Sequence, residues 1–167
     1  MAMFRRRATP GSRSPDSVYE GLRTAALEAT EAAVGKPPPE HPNVLGAVID
    51  IPCEGGMASV VAMADGTTSM YTSAGGGTIG AGSHDTVAHA THGLLAALDS
   101  SIEMFPADQR VDLPQRDMVQ ITLVTPAGRR RANVPAAAFW GEEPSTVVEL
   151  IASIHDVISA IRDTEPA

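Results

Sequence analysis

Several things are scarce or missing in this sequence, and each absence excludes something. Cys53 is the single cysteine in 167 residues. That excludes an internal disulfide framework and fits a reducing compartment. No apolar run approaches the roughly 18 residues of a membrane-spanning helix. Arg5, Arg6 and Arg7 open the chain, but no apolar stretch follows them as in a secretory signal. A cytoplasmic location is therefore expected. Charge is sparse at 19% of residues, and lysine is nearly absent: eleven of the 12 basic residues are Arg and the other is Lys36. No stretch repeats at a period of about 20–50 residues. The phosphate loop ending in Gly-Lys-Ser/Thr, the H-E-x-x-H zinc helix and the G-x-S-x-G nucleophile elbow are all missing.

Acidic residues are absent from the first 13 positions, which carry Arg5, Arg6, Arg7 and Arg13. The remainder holds 8 basic against 20 acidic side chains, so a net charge of −8 divides into a basic arm and an acidic body. An acidic body repels a phosphate backbone, so nucleic acid is not an expected partner. Residues 1–13 lack periodicity and are read as an unstructured basic tail.

What is present reads as one α+β domain over residues 14–163, with 164–167 fraying. Ser14-Pro15-Asp16 starts a helix, with Ser17 and Glu20 as an alternative capping box. Val18, Leu22, Ala25, Ala29 and Ala33 share one stripe, and Gly35 before Pro37-Pro38-Pro39 ends the helix. Strands are expected over 44–51, 57–63 and 67–73, with Asp65-Gly66 as a hairpin turn between the last two. Thr67, Thr68, Ser69, Thr72 and Ser73 make the third strand hydroxyl-rich, which suggests that one of its faces is not core. A helix follows from Ser83 or Asp85 to Phe105, with Val87, Thr91, Leu94, Leu98, Ile102 and Phe105 on one face. Strands over 118–125 and 129–140 come next, the latter interrupted by Pro135 and so expected at an edge or a bulge. A last helix opens near Pro144 and carries Leu150, Ile151, Ile154, Val157, Ile158 and Ile161. The order α-βββ-α-ββ-α, with about five strands grouped in hairpins, predicts a mostly antiparallel sheet with three helices.

The chain turns on its densest glycine stretch. Gly75, Gly76, Gly77, Gly80 and Gly82 fall within eight residues between a strand and a helix. Gly75-Gly76-Gly77-Thr78-Ile79-Gly80 satisfies G-x-G-x-x-G, and a helix N-terminus suits an anion. The hydroxyl-rich strand before it is nevertheless unlike the buried apolar strand of a dinucleotide fold. Two readings stay open. One is a tight backbone corner needing positive φ. The other is a small-ligand or hydrolytic site formed by these five glycines with Ser83 and His84, and with Ser73 as a second hydroxyl. Asp85, His89 and His92 follow helical spacing, a weak pattern for a divalent metal without a cysteine beside it. No catalytic residue and no cofactor is assigned. Cys53, next to Glu54, reads as a turn or buried thiol, since a nearby carboxylate raises a thiol pKa. Arg129 and Arg131 share a strand face, suited to carboxylate partners or an anionic surface. Trp140, the only tryptophan, beside Phe139, reads as core or an interface anchor.

The element order resembles that of the roadblock/longin-like regulatory domains. Val44-Leu45-Gly46-Ala47-Val48-Ile49-Asp50 looks like the first strand of that family and Asp65-Gly66 its hairpin turn. Residues 118–125, Pro126-Ala127-Gly128 and the closing helix 144–162 look like its later elements. The resemblance spans residues 16–162 and implies a non-enzymatic platform that dimerises and binds regulators. A homodimer, with another protein as a further partner, is accordingly expected.

Overall fold

The computed structural model describes residues 14–167, and the expectation of an unstructured basic tail at 1–13 lies outside them. Six antiparallel strands form one sheet in the order β4-β3-β2-β1-β5-β6. They are β1 (Gly46–Cys53), β2 (Gly56–Met63), β3 (Thr68–Thr72), β4 (Gly77–Thr78), β5 (Met118–Thr125) and β6 (Gly128–Pro135). The helices are α1 (Pro15–Leu27), α2 (Glu31–Val34), α3 (Asp85–Ser100), α4 (Ala136–Phe139) and α5 (Val148–Arg162). The α+β class holds, with one strand more than expected. The sixth is β4, inside the glycine run, where Gly77 and Thr78 pair with Tyr71 and Met70.

The sheet has helices on both faces, and its two faces differ in chemistry. α3 and α5 cover one face, where Ala47, Ile49 and Ile51 of β1 and Val119, Ile121 and Leu123 of β5 meet Leu94, Leu98, Ile154 and Ile161. This is the main core, and it is aliphatic because both helices present the stripes expected of them. α1 lies on the other face, over Val48, Met57, Val61, Met63 and Tyr71. Covered on both sides, β1 is buried from Gly46 to Ile51, which explains its near-continuous apolar run.

Several boundaries and faces differ from expectation. Ser14 caps α1 by accepting from the Ser17 N–H at 3.3 Å, so the Ser17–Glu20 box is not used. The first helix breaks after Leu27 because Thr30 turns extended (φ −122°, ψ 160°). α1 also sits rotated from its apolar stripe. Tyr19, Arg23, Ala26 and Leu27 face inward while Val18 remains exposed. Polar partners on the sheet, described below, set that rotation. The strand expected to run to Trp140 stops at Pro135, and Ala136–Phe139 coils into α4. Pro135 removes a ladder donor where β6 forms the sheet edge, as expected for proline in a strand. α3 ends at Ser100, and Ile102–Met104 finishes in a 3₁₀ turn that buries Phe105. The last helix begins at Val148, later than Pro144 suggested. The hydroxyl-rich β3 is core after all, with Thr68, Ser69 and Tyr71 all buried. Thr68 pairs with Thr91 of α3 at 2.8 Å between hydroxyls, so a buried hydroxyl is satisfied by another.

Candidate functional site

The glycine corner is built by its backbone. Gly77 has φ 146°, and a Cβ there would run into the Met70 carbonyl and the Tyr71 backbone, because β4 lies directly against β3. Gly82 has no positive φ, but a Cβ there would meet the Gly66 carbonyl of the β2–β3 hairpin. Gly77 thus closes the corner by conformation and proximity together, and Gly82 by proximity alone. Side chains reinforce it. Thr72 Oγ1 donates to the Gly75 carbonyl at 2.7 Å, and the Gly80 N–H donates to Ser69 Oγ at 3.2 Å. At the far side of β4, Thr78 Oγ1 donates to Glu165 Oε1 at 2.6 Å and ties the C-terminus to the corner.

The hydroxyls and histidine named from the sequence do not converge. Ser73 Oγ accepts from the Met57 N–H at 3.0 Å, and Ser83 Oγ donates to the Gly80 carbonyl at 3.2 Å. His84 is exposed at the start of α3, and among the described residues no hydrogen bond joins its ring to either serine. Asp85, His89 and His92 are exposed on α3. Among the described residues no three His, Cys, Asp or Glu side chains gather as a metal-binding group. Cys53 is exposed at the β1–β2 turn, so the turn reading holds and the buried one does not.

A larger polar assembly lies between α1 and the sheet, where sequence reasoning saw none. Strand register lines up Tyr71, Ser59, Asp50, Gln120 and Asn133 in one row across β3, β2, β1, β5 and β6. Asp50 is its centre and is fully buried. It accepts from Arg23 Nε at 3.0 Å, from Arg23 NH2 at 2.8 Å and from Ser59 Oγ at 2.6 Å. Ser59 in turn lies 2.7 Å from the Tyr19 hydroxyl. Burial, only partly offset by the Ser59 hydrogen bond, pushes the Tyr19 phenol up to about 12. Burial also holds the Tyr71 phenol well above its ordinary value. The signal was a lone aspartate inside the apolar run Val48-Ile49-Asp50-Ile51. Its basic partner lies 27 residues away on another element, so no local spacing could reveal it.

The arginine run ends up structural. Arg129 donates to the Leu27 and Gln109 carbonyls, and Arg130 Nε to the Phe105 carbonyl at 2.6 Å. Buried Arg131 pairs with Asp108 at 3.1 Å and Asp112 at 3.3 Å. Together they fasten the 105–112 segment over the end of the sheet. Hydrogen bonds from Arg110 hold the Asp108 carboxyl well below the usual carboxylate range.

Two surface features are rich in apolar side chains. Along α1, two adjoining grooves of about 360 and 350 Å³ share Leu22, Tyr71 and Ile79. Elsewhere on the surface, Trp140 is 50% exposed, with its ring 5.0 Å from Phe139 and 5.3 Å from His155. His155 is fixed by a 2.9 Å contact between Nε2 and the Phe139 carbonyl, and Val148 beside it is 60% exposed. No helix among the described residues is long and apolar enough to cross a membrane. Compared with protein-family models, curated proteins and solved structures, the chain matches none of them.

Proposed function

We propose that the chain is a non-enzymatic interaction or regulatory domain of the cytoplasm that pairs with a second copy through the Trp140 surface. The observation that carries this is Trp140 itself. Its indole is half exposed, yet it is held by Phe139 and His155 and flanked by exposed Val148. A rigid aromatic anchor beside an apolar neighbour is the type of residue that dominates binding energy at interfaces. Pairing uses side chains here, not strand addition at β6. That edge is already engaged, since the Asp108 N–H donates to the Arg129 carbonyl and the Arg131 N–H to the Pro106 carbonyl, both at 3.0 Å. The resemblance in element order to roadblock/longin-like regulatory domains points the same way. The acidic body disfavours nucleic acid as the partner.

Sedimentation velocity across micromolar concentrations tests the reading. A dimer is expected, and Trp140→Ala should shift it to monomer by about tenfold or more in Kd, the effect of a strong anchor. Because Trp140 is the only tryptophan, its emission should shift to the blue as the dimer forms. A wild-type chain that stays monomeric throughout sinks the proposal.

A further inference from the structure

We propose that the Trp140 groove receives the arginine run Arg5-Arg6-Arg7 of a second copy of this chain, with one guanidinium laid over the indole and the others paired with Glu142 and Glu143. The inference rests on the pairing read at Trp140 and names what the second copy brings to it.

Charge supplies the first observation. The groove has a volume of about 420 Å³ and is lined by Phe139, Trp140, Glu143, Val148, Ile151 and His155, among others. Residues 132–161, which build it, include Glu142, Glu143, Glu149 and Asp156 and no Lys or Arg. All four acids are exposed, and none takes part in a salt bridge among the described residues. An exposed indole with a carboxylate beside it suits a guanidinium, which stacks on the ring and turns its N–H groups to the acid.

The chain itself holds the matching charge. It has two runs of three arginines, at 5–7 and at 129–131. The second run is taken up by the 105–112 segment and by the Leu27 carbonyl. The first has no acid within 13 residues of the start to neutralise it, and apolar Met3 and Phe4 stand directly before it. Apolar residues followed by guanidiniums match a groove floored by buried Phe139 and Ile151, with Trp140, Val148 and Glu143 exposed above. Opposite charges on the two surfaces steer the encounter and fix its register.

Reach assigns the arm to the second copy. α1 begins where Pro15 lies against Gly75, at the β3 side of the sheet. From β3, β6 is four strand spacings away, about 19 Å. Trp140 also lies on the α5 face, whereas α1 covers the opposite one. The stretch from Arg7 to Ser14 spans at most about 25 Å. An arm turned back onto its own groove would be drawn almost straight around the end of the sheet, at the cost of its conformational entropy. A copy docked at Trp140 can present its arm from closer by.

Sedimentation velocity and Trp140 emission on the full chain test this. R5A/R6A/R7A should weaken pairing at least tenfold, and so should E142Q/E143Q. The parent dimer should itself loosen as sodium chloride rises from about 0.05 to 0.5 M, since salt screens exposed charges. Combining E142K/E143K with R5E/R6E/R7E should restore pairing that either reversal alone removes, a rescue that damage to the fold would not give. Arginine variants that pair like the parent, while Trp140→Ala does not, overturn the inference and leave the pairing itself standing. A parent that stays monomeric at every concentration overturns both. A monomeric parent whose emission moves to the red in R5A/R6A/R7A gives the groove to the arm of the same chain, and that outcome also overturns the proposal.

Discussion

Arg23 of α1 and Asp50 of β1 meet in two hydrogen bonds, Nε to Oδ1 at 3.0 Å and NH2 to Oδ2 at 2.8 Å, with the carboxylate wholly buried. Two charges held this way cost much to desolvate, and each needs the other once inside. The pair explains why α1 turns Arg23 inward and leaves Val18 in solvent. The ion pair selects the helix's rotation, and the grooves beside Leu22 are what that rotation leaves unfilled.

Breaking the pair from either side should be severe. Arg23→Ala strands a buried carboxylate, and Asp50→Ala leaves the guanidinium without its counter-charge, held only by the Val111 and Asp112 carbonyls. Each is expected to cost about 3–5 kcal/mol in urea denaturation. Replacing both, Arg23→Met with Asp50→Leu, should recover much of the loss. Single variants within about 1 kcal/mol of the parent would show that the pair contributes little.

Both tyrosines of the chain, Tyr19 and Tyr71, are buried, so neither should ionise near the ordinary phenol value of about 10. Their folded-state values are raised, Tyr19 to about 12. The associated stability is therefore complete below pH 10 and declines as pH climbs toward 12 and beyond. An ultraviolet phenolate titration should stay flat through pH 10 and rise together with loss of far-ultraviolet circular dichroism. Free titration at pH 10 in a folded chain would contradict the burial of the two rings.

The glycines should separate into two grades. Gly76→Ala meets only its positive φ of 86° and open space, so about 1 kcal/mol is expected. Gly77→Ala and Gly82→Ala place a methyl group on neighbouring backbone and should each cost about 3 kcal/mol. Thermal midpoints in that order would mark the corner as a backbone device. A G82A chain as stable as the parent would refute the close approach to Gly66.

Acid should loosen the 105–112 segment before the core. Asp108 takes hydrogen bonds from Arg110 and pairs with Arg131, which lowers its carboxyl pKa. A lowered value means the interaction is fully present above the ordinary aspartate range of about 3.9 and fades as pH falls below it. The Asp108 carboxyl followed by NMR should titrate below that range, and Arg110→Ala should move it back up. An Asp108 midpoint insensitive to R110A would show that Arg110 is not the cause.

Much of the architecture could be read from the chain alone. β5 falls at the expected residues, Asp65-Gly66 makes the hairpin, and α5 buries the apolar face assigned to it. These features are local, set by side-chain period and turn chemistry within a few residues. β4 was missed because two glycine-flanked residues carry no period to read. α4 was missed because Ala136–Phe139 suits a helix as well as the end of a strand. The candidate site was legible only as a place. The glycine corner was found, but the side chains expected to work there, Ser73, Ser83 and His84, are separately engaged or exposed.

The sequence by itself determined the start of α1, the bodies of α3 and α5, the Asp65-Gly66 hairpin and the α+β class, because periodicity and turn residues act at short range. Only the tertiary structure decided which face of α1 would be buried and which residues would share the row through Asp50. Strand register and helix docking bring together Arg23, Asp50, Ser59 and Tyr71, which lie up to 48 positions apart, and no local pattern encodes that distance.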